Sequence, residues 1–233
     1  MACRLLDDGN DDAHTGLAPH GAPSKPWSAW WTSTPMGGEL EVGVAHDVLA
    51  ERLHRRAVAD GAIAFGRTAL TFEPVVPDPN PVATLDWPEL QQESEPKLTV
   101  RFLTPTTLRR GKHTSPWVDP ASLLSSLTAR WSAVAPPDTT IPNPTQIERA
   151  SLRVSRVKGE TRVITLANQR VVPGFIGEVT YRGDDTAVFA RFTTLLRMAE
   201  FLGAGARTEY GFGRVRLAAS DPKRRGRAQH TTA

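Results

Sequence analysis

The sequence predicts an α+β chain built from two related halves. Three observations lead to that class. In the second half, segments of strand alternation and helical periodicity follow in the order strand, helix, two strands, helix, strand. The first half shows strand, helix and two strands, part of the same order. Between them lies a Pro-rich stretch, residues 77–96, where the sign of the charge also changes. A strand-helix-strand-strand-helix-strand run is a split βαβ plan, so two tandem ferredoxin-like domains are expected.

Taken in order, residues 1–38 are rich in Gly, Pro, Ser and Thr after a short helical start at Ala2–Asp7. Glu39–Val44 alternates as a strand. Asp47 is placed to N-cap a helix over Val48–Ala59, whose Val48, Leu49, Leu53, Ala57 and Val58 fall near helical spacing. Ala62–Phe65 and Thr68–Val76 read as strands of a hairpin turning at Gly66-Arg67. The first domain therefore spans residues 1–76, and residues 77–96, with Pro77, Pro79, Pro81, Pro88 and Pro96, form the linker.

The second domain, residues 97–218, opens with a strand over Lys97–Leu103 and a basic loop over Thr107–His113. A helix follows over Pro120–Val134, with Leu123, Leu124, Leu127 and Trp131 on one face. Ala135–Pro144 is a Pro-rich break. Leu152–Val157 and Thr161–Leu166 read as a hairpin turning at Lys158-Gly159-Glu160. Phe175–Tyr181 is a further strand, Thr186–Phe201 a helix, and Gly213–Leu217 the closing strand. Residues 219–233 form a basic tail without structure.

Composition limits the function. At 39% hydrophobic and 23% charged, the 233 residues hold enough apolar material for a core. No run of about 18 apolar residues suggests a membrane span. The acidic start, MACRLLDDGNDDAH, does not resemble a secretory signal, so the expected compartment is the cytoplasm. The single Cys3 excludes an internal disulfide and a Cys-rich zinc site. Residues 1–95 carry 6 Lys/Arg against 15 Asp/Glu, a balance of −9; residues 96–220 carry 18 against 9, a balance of +9; the tail adds 4 − 1 = +3. That asymmetry points to a polyanionic partner for the second half, or to two surfaces of opposite sign that attract each other.

The most informative stretch is Gly203-Ala204-Gly205-Ala206-Arg207-Thr208-Glu209-Tyr210-Gly211-Phe212-Gly213-Arg214, a G-x-G-x(5)-G-F-G loop between a helix and the last strand. Glycines let a backbone turn tightly and approach a ligand, and Arg207, Arg214 and Arg216 are phosphate partners by type. A dinucleotide fingerprint has the reverse order, strand then glycines then helix, and the GK[ST] of a P-loop is absent.

This loop resembles the glycine-rich signature of the RAMP superfamily, and within it the CRISPR pre-crRNA processing endoribonuclease family. Phe102-Leu103-Thr104-Pro105-Thr106 with Leu108-Arg109-Arg110-Gly111 is similar to that family's opening of the second domain. Gly174–Tyr181, in Val172-Pro173-Gly174-Phe175-Ile176-Gly177-Glu178-Val179-Thr180-Tyr181, is similar to its GGF-x-G-x-VTY strand, and Leu195–Phe201 to the helix entering the loop. The resemblance covers about residues 97–217 and implies tandem ferredoxin-like (RRM-like) domains. In the first half, His20 ahead of Lys25-Pro26-Trp27 matches a family pattern. The family has a full strand before its first helix, and this chain starts almost at the helix, so the first domain is expected to lack its first strand.

The resemblance implies metal-independent cleavage of CRISPR repeat RNA by attack of a ribose 2′-OH on the adjacent phosphate, with the crRNA product retained. Histidine suits the proton transfers, and a cation suits the developing charge. His20 is then the catalytic candidate with Lys25 beside it, and His14 the rival; both histidines equally suit a solvated loop. Arg109, Arg110, Lys112, His113, Gly203, Gly205, Arg207, Gly211, Gly213 and Arg214 are the RNA-binding candidates. Trp27, Trp30 and Trp31 fit either base stacking or core packing. No histidine pair has metal-ligand spacing, so neither metal nor cofactor is expected. Two further readings stay open: a catalytically inactive RAMP-type subunit that carries crRNA among other CRISPR effector subunits, and an unrelated ferredoxin-like binding domain.

Overall fold

The structure, a computed structural model, describes residues 24–35, 37–60, 62–65, 68–71, 86–91, 96–166 and 169–218. His14, His20 and the basic tail lie outside them.

The first described element is β1, Trp27–Thr34, paired antiparallel with β2, Gly37–Val44, from Trp27↔Val44 to Thr34↔Gly37. Sequence periodicity does not reveal β1, and its burial explains why. Trp27 and Ala29 pack on Leu49, while Ser28 and Trp30 on the opposite face are also buried. A strand covered on both faces shows no apolar/polar alternation. Glu39–Val44, expected as a strand, lies within β2 and is covered along one edge by β1. The helix α1, Asp47–Asp60, follows, and then the expected hairpin of β3, Ala62–Phe65, and β4, Thr68–Thr71.

The end of the expected linker is docked. Trp87–Leu90 forms a 3-10 turn opened by a reciprocal Asp86–Glu89 capping box. Leu90 is buried, and the Trp87 ring meets Trp131 edge-on at 4.9 Å.

The second half contains β5 (Lys97–Thr106), β6 (Leu108–Arg110), β7 (His113–Ser115), α2 (Pro120–Val134), a short α3 (Gln146–Ala150), β8 (Leu152–Thr165), β9 (Val171–Gly183), α4 (Thr186–Leu202) and β10 (Val215–Leu217). Its sheet has the order β10-β5-β9-β8, with every neighbouring pair antiparallel. Counted among the four sheet strands, that is 4-1-3-2, the expected ferredoxin-like topology. Val100, Phe102, Val179, Tyr181 and Val215 turn one face toward Leu123, Leu127 and Trp131 of α2 and Phe189, Phe192 and Leu195 of α4. Tyr181 meets Phe192 edge-on at 5.4 Å, and its hydroxyl donates to Val118 O at 2.7 Å, which satisfies a phenol buried in this core.

Two local readings are corrected. Lys158-Gly159-Glu160 is not a turn; β8 runs straight through it. Gly159 lies opposite Gly177, and a Cβ there would come within 2.6 Å of the Phe175 ring. This glycine admits a cross-strand aromatic, and the chain reverses later, where Leu166 N–H donates to Arg170 O at 2.9 Å. Residues 107–113 are not an open loop either: β6 and β7 pair as a small hairpin around Gly111.

Candidate functional site

The glycine-rich loop begins where α4 stops, with Gly203 N–H still donating to Ala199 O at 2.8 Å. The chain then doubles back on β5. Ala204 N–H donates to Gly213 O at 2.8 Å, Gly213 N–H to Pro105 O at 3.0 Å, and Ala206 N–H to Thr107 O at 2.9 Å. Glycine is required at Gly205 (φ +79°), where a Cβ would strike Thr107 O, and at Gly213 (φ +71°), where it would strike Ala204 O. Beyond them the tip is a 3-10 turn over Thr208–Tyr210, entered through Arg207 in the left-handed region at φ 68°.

Three neighbours hold the loop. From the core, Arg130 of α2 donates to Leu202 O (2.5 Å), Gly203 O (2.8 Å) and Gly205 O (3.1 Å). Burial lowers the pKa of its guanidinium to about 10, with Glu209 acting in the opposite direction, so it stays charged at neutral pH. The β1–β2 hairpin lies alongside. Ser28 Oγ donates to Phe201 O at 2.7 Å, and Trp30 Nε1 to Phe212 O at 3.3 Å. Glu41 pairs with both Arg214 and Arg216, the latter at 2.9 Å. On the third side is the β6–β7 hairpin. The wholly buried Thr107 takes Ala206 N–H on its carbonyl and donates its hydroxyl to Ser115 O at 3.3 Å.

Charge is distributed around this frame. Arg109, Arg110, Lys112 and His113 are exposed on the hairpin. Arg110 forms an ion pair with Asp119, whose side chain also accepts from Ser122 N–H at 2.8 Å and so caps α2. Burial raises the pKa of the Asp119 carboxyl, but the Ser122 N–H and the Arg110 guanidinium together hold it below its ordinary value.

The structure therefore brings together Arg109, Arg110, Lys112 and His113 with the loop that carries Gly203, Gly205, Arg207, Gly211, Gly213 and Arg214. It also qualifies several of them. Gly203, Gly205 and Gly213 are buried, and the N–H groups of Gly203 and Gly213 are used inside the fold. Arg110 and Arg214 already have carboxylate partners. Lys25 is half-buried, two residues ahead of β1. Trp27 and Trp30 are core residues and offer no face to a base. Trp31 is half-buried, with Nε1 donating to Ser33 Oγ at 3.2 Å.

Sequence reasoning overlooked Arg130, Thr107, Ser28 and Glu41. Arg130 alone left a signal, a charge three residues after Leu127 on the apolar side of a helix, where an arginine is rarely buried unless paired.

A 4-1-3-2 sheet whose last helix delivers a braced glycine-rich loop beside a cationic hairpin defines a ferredoxin-like domain with a basic rim. Residues 100–215, nearly all of that domain, match the family model of the CRISPR-associated endoribonuclease Cas6, and the domain belongs to that family. The CRISPR-associated endoribonuclease Cas6 of Mycobacterium tuberculosis (strain ATCC 25618 / H37Rv) is 33% identical over 132 residues, 54% of this chain and 40% of that relative. The matched segment thus spans less than half of the curated protein's length. Among solved structures, a Cas6 product complex superposes with a TM-score of 0.73 at 24% identity, covering 93% of this chain and 90% of the other. A Thermus thermophilus Cas6 gives a TM-score of 0.64 at 25% identity, covering 93% and 88%. A Cas6-related protein from Pyrococcus furiosus gives 0.55 at 12% identity, covering 94% and 88%. These likenesses extend the shared fold across both halves of the chain. Among the described residues, no helix is long and apolar enough to cross a membrane.

Proposed function

We propose that this chain is a cytoplasmic endoribonuclease that cleaves CRISPR repeat RNA without a metal ion and keeps the crRNA product bound. The observation that carries the reading is the Cas6 family match over residues 100–215, which coincides with the domain bearing the glycine-rich loop and the basic hairpin.

In this reaction a ribose 2′-OH attacks the adjacent phosphorus and the P–O5′ bond breaks. The products are a 2′,3′-cyclic phosphate and a 5′-OH. His20, or in its place His14, moves the proton between the attacking and leaving oxygens. Lys25 supplies positive charge toward the phosphorane. The strand that follows Lys25 packs on the glycine-rich loop through Trp30, and this adjacency supports assigning catalysis to that stretch of chain. Arg109, Lys112, His113 and Arg207 take the RNA phosphates, and Arg110 and Arg214 join them by exchanging a carboxylate for a phosphate. Gly203, Gly205 and Gly213 shape the loop, and Gly211 lies at its tip. Other CRISPR effector subunits are the expected protein partners of the bound product.

The test uses the purified protein, its repeat RNA and excess EDTA, with a second RNA carrying one 2′-deoxy at the cut site. Cleavage in EDTA that the 2′-deoxy abolishes is the expected result. His20→Ala and His14→Ala then separate the two histidines: the catalytic one loses cleavage by about 100-fold or more while binding persists. Tight binding with no cleavage of either RNA would replace this reading with a non-catalytic crRNA carrier.

A further inference from the structure

We propose that Trp117 and Tyr210 form a base-stacking platform for unpaired nucleotides, beside the cationic β6–β7 hairpin. The inference rests on the RNA-binding reading above and adds the kind of nucleotide the site selects. Among the residues whose side chains are described, these two are the exposed large aromatics, at 49% and 67% exposure. Of the tryptophans first suited to stacking by sequence, Trp27 and Trp30 are sealed in the core and Trp31 is half-buried.

A path of hydrogen bonds runs from Trp117 to the foot of the loop that carries Tyr210. Trp117 follows β7 by two positions, and its N–H donates to Ser115 Oγ at 3.2 Å. Ser115 O accepts the Thr107 hydroxyl, and Thr107 O accepts Ala206 N–H at the foot of the loop that carries Tyr210. Tyr210 N–H donates to Arg207 O at 2.9 Å. Both aromatics thus stand on pinned backbone, and neither Trp nor Tyr has more than two side-chain torsions to order on binding. Arg109, Lys112 and His113 are exposed on the hairpin that precedes Trp117.

Aromatic faces beside a row of cations are what single-stranded nucleic acid uses. The cations follow the phosphates, and the rings take the flat faces of bases. In a duplex those faces are occupied by neighbouring base pairs. The platform therefore takes unpaired repeat nucleotides and is indifferent to a fully paired stem.

The test measures binding of full-length protein to uncleavable 2′-deoxy repeat RNA in EDTA, over a range of salt. Trp117→Ala and Tyr210→Ala should each weaken binding about 5- to 150-fold with an unchanged salt slope, because no phosphate contact is lost. Trp117→Phe should retain most of the affinity. Arg109→Ala with Lys112→Ala should instead flatten the salt slope by about 1.4, for two contacts to a single strand. Scanning the RNA with single abasic sites should find a position that weakens wild type by the same factor as Trp117→Ala and does not weaken Trp117→Ala further. Unchanged affinity in Trp117→Ala and Tyr210→Ala overturns the platform and leaves the two rings to a protein partner. Equal losses in Trp117→Phe and Trp117→Ala also overturn it, by tracing the effect to packing. Failure of the wild type to bind repeat RNA would instead overturn the RNA reading itself, so the two failures are distinguishable.

Discussion

Arg130 donates to the Gly203 carbonyl at 2.8 Å from inside the core. The same guanidinium reaches Leu202 O and Gly205 O, so one side chain satisfies three carbonyls where α4 gives way to the glycine-rich loop. The last carbonyls of a helix lack partners within it, and water cannot serve them here. Arg130→Met is expected to lower stability by about 2–4 kcal/mol, because it leaves buried acceptors unpaired. Arg130→Lys should recover less than half of that loss, since an ammonium on a single stem cannot span three carbonyls as a planar fork does. Urea midpoints for the three proteins check this, and an unchanged midpoint in Arg130→Met would remove Arg130 as the brace.

Two glycines with positive φ should respond very differently to alanine. Gly111 (φ +59°), at the tip of the β6–β7 hairpin, has nothing within 4 Å of the place a Cβ would take. Gly205 (φ +79°) has the Thr107 carbonyl directly in the way. Gly111→Ala should cost only the left-handed strain, about 1–2 kcal/mol. Gly205→Ala adds a clash with backbone that is itself hydrogen-bonded, for about 1–3 kcal/mol more. Thermal melts of the two variants decide it, with the lower Tm expected for Gly205→Ala.

The Glu41 carboxylate occupies Arg214 and Arg216 together. These groups are partly exposed, at 21%, 39% and 29% for Arg214, Arg216 and Glu41, so solvent screens the pairing and its stabilisation stays near or below about 1 kcal/mol. Its larger consequence is for RNA, since both guanidiniums are spent before a phosphate arrives. Glu41→Gln should bind repeat RNA several-fold more tightly at low salt, and with a salt slope steeper by about 0.7 for every phosphate newly neutralised. Weaker binding with an unchanged slope would mean instead that Glu41 serves to hold the β1–β2 hairpin in place.

Local signals carried most of the second domain. The Leu123, Leu124, Leu127, Trp131 spacing places α2 over the residues it occupies. Features set by distant neighbours were not legible. Gly159 reads as a turn until Phe175 is known to lie across from it. The strand Trp27–Thr34 hides because the second half covers its Ser28 and Trp30 face. In the candidate site, the glycines and the basic run were visible as types. The use of Gly203 and Gly213 N–H groups inside the fold was not visible, because their acceptors lie on α4 and β5. Thr107 is an ordinary threonine in sequence. It becomes the junction of hairpin and loop only through Ala206, which lies on a different part of the chain.

Asp119 makes the stability of α2 depend on pH in a predictable direction. Its folded pKa lies below the ordinary value of 3.8, because the Ser122 N–H and Arg110 outweigh burial. A carboxyl with a depressed folded pKa contributes stability that is complete above its unfolded pKa and is lost as pH falls through the folded one. At pH 7, Asp119→Ala should destabilise the protein by about 0.5–2 kcal/mol through loss of the cap. Below about pH 4 the carboxyl of the unfolded chain takes up its proton first, and the gap between wild type and variant should narrow until the folded carboxyl is protonated as well. Urea midpoints of the two proteins between about pH 7 and pH 3 measure that gap. A constant gap would show that the cap acts through a neutral hydrogen bond alone, without the Arg110 pairing. Arg110→Ala supplies the cross-check: it should shift the narrowing toward higher pH, because the carboxyl then loses one of the groups that depress its pKa.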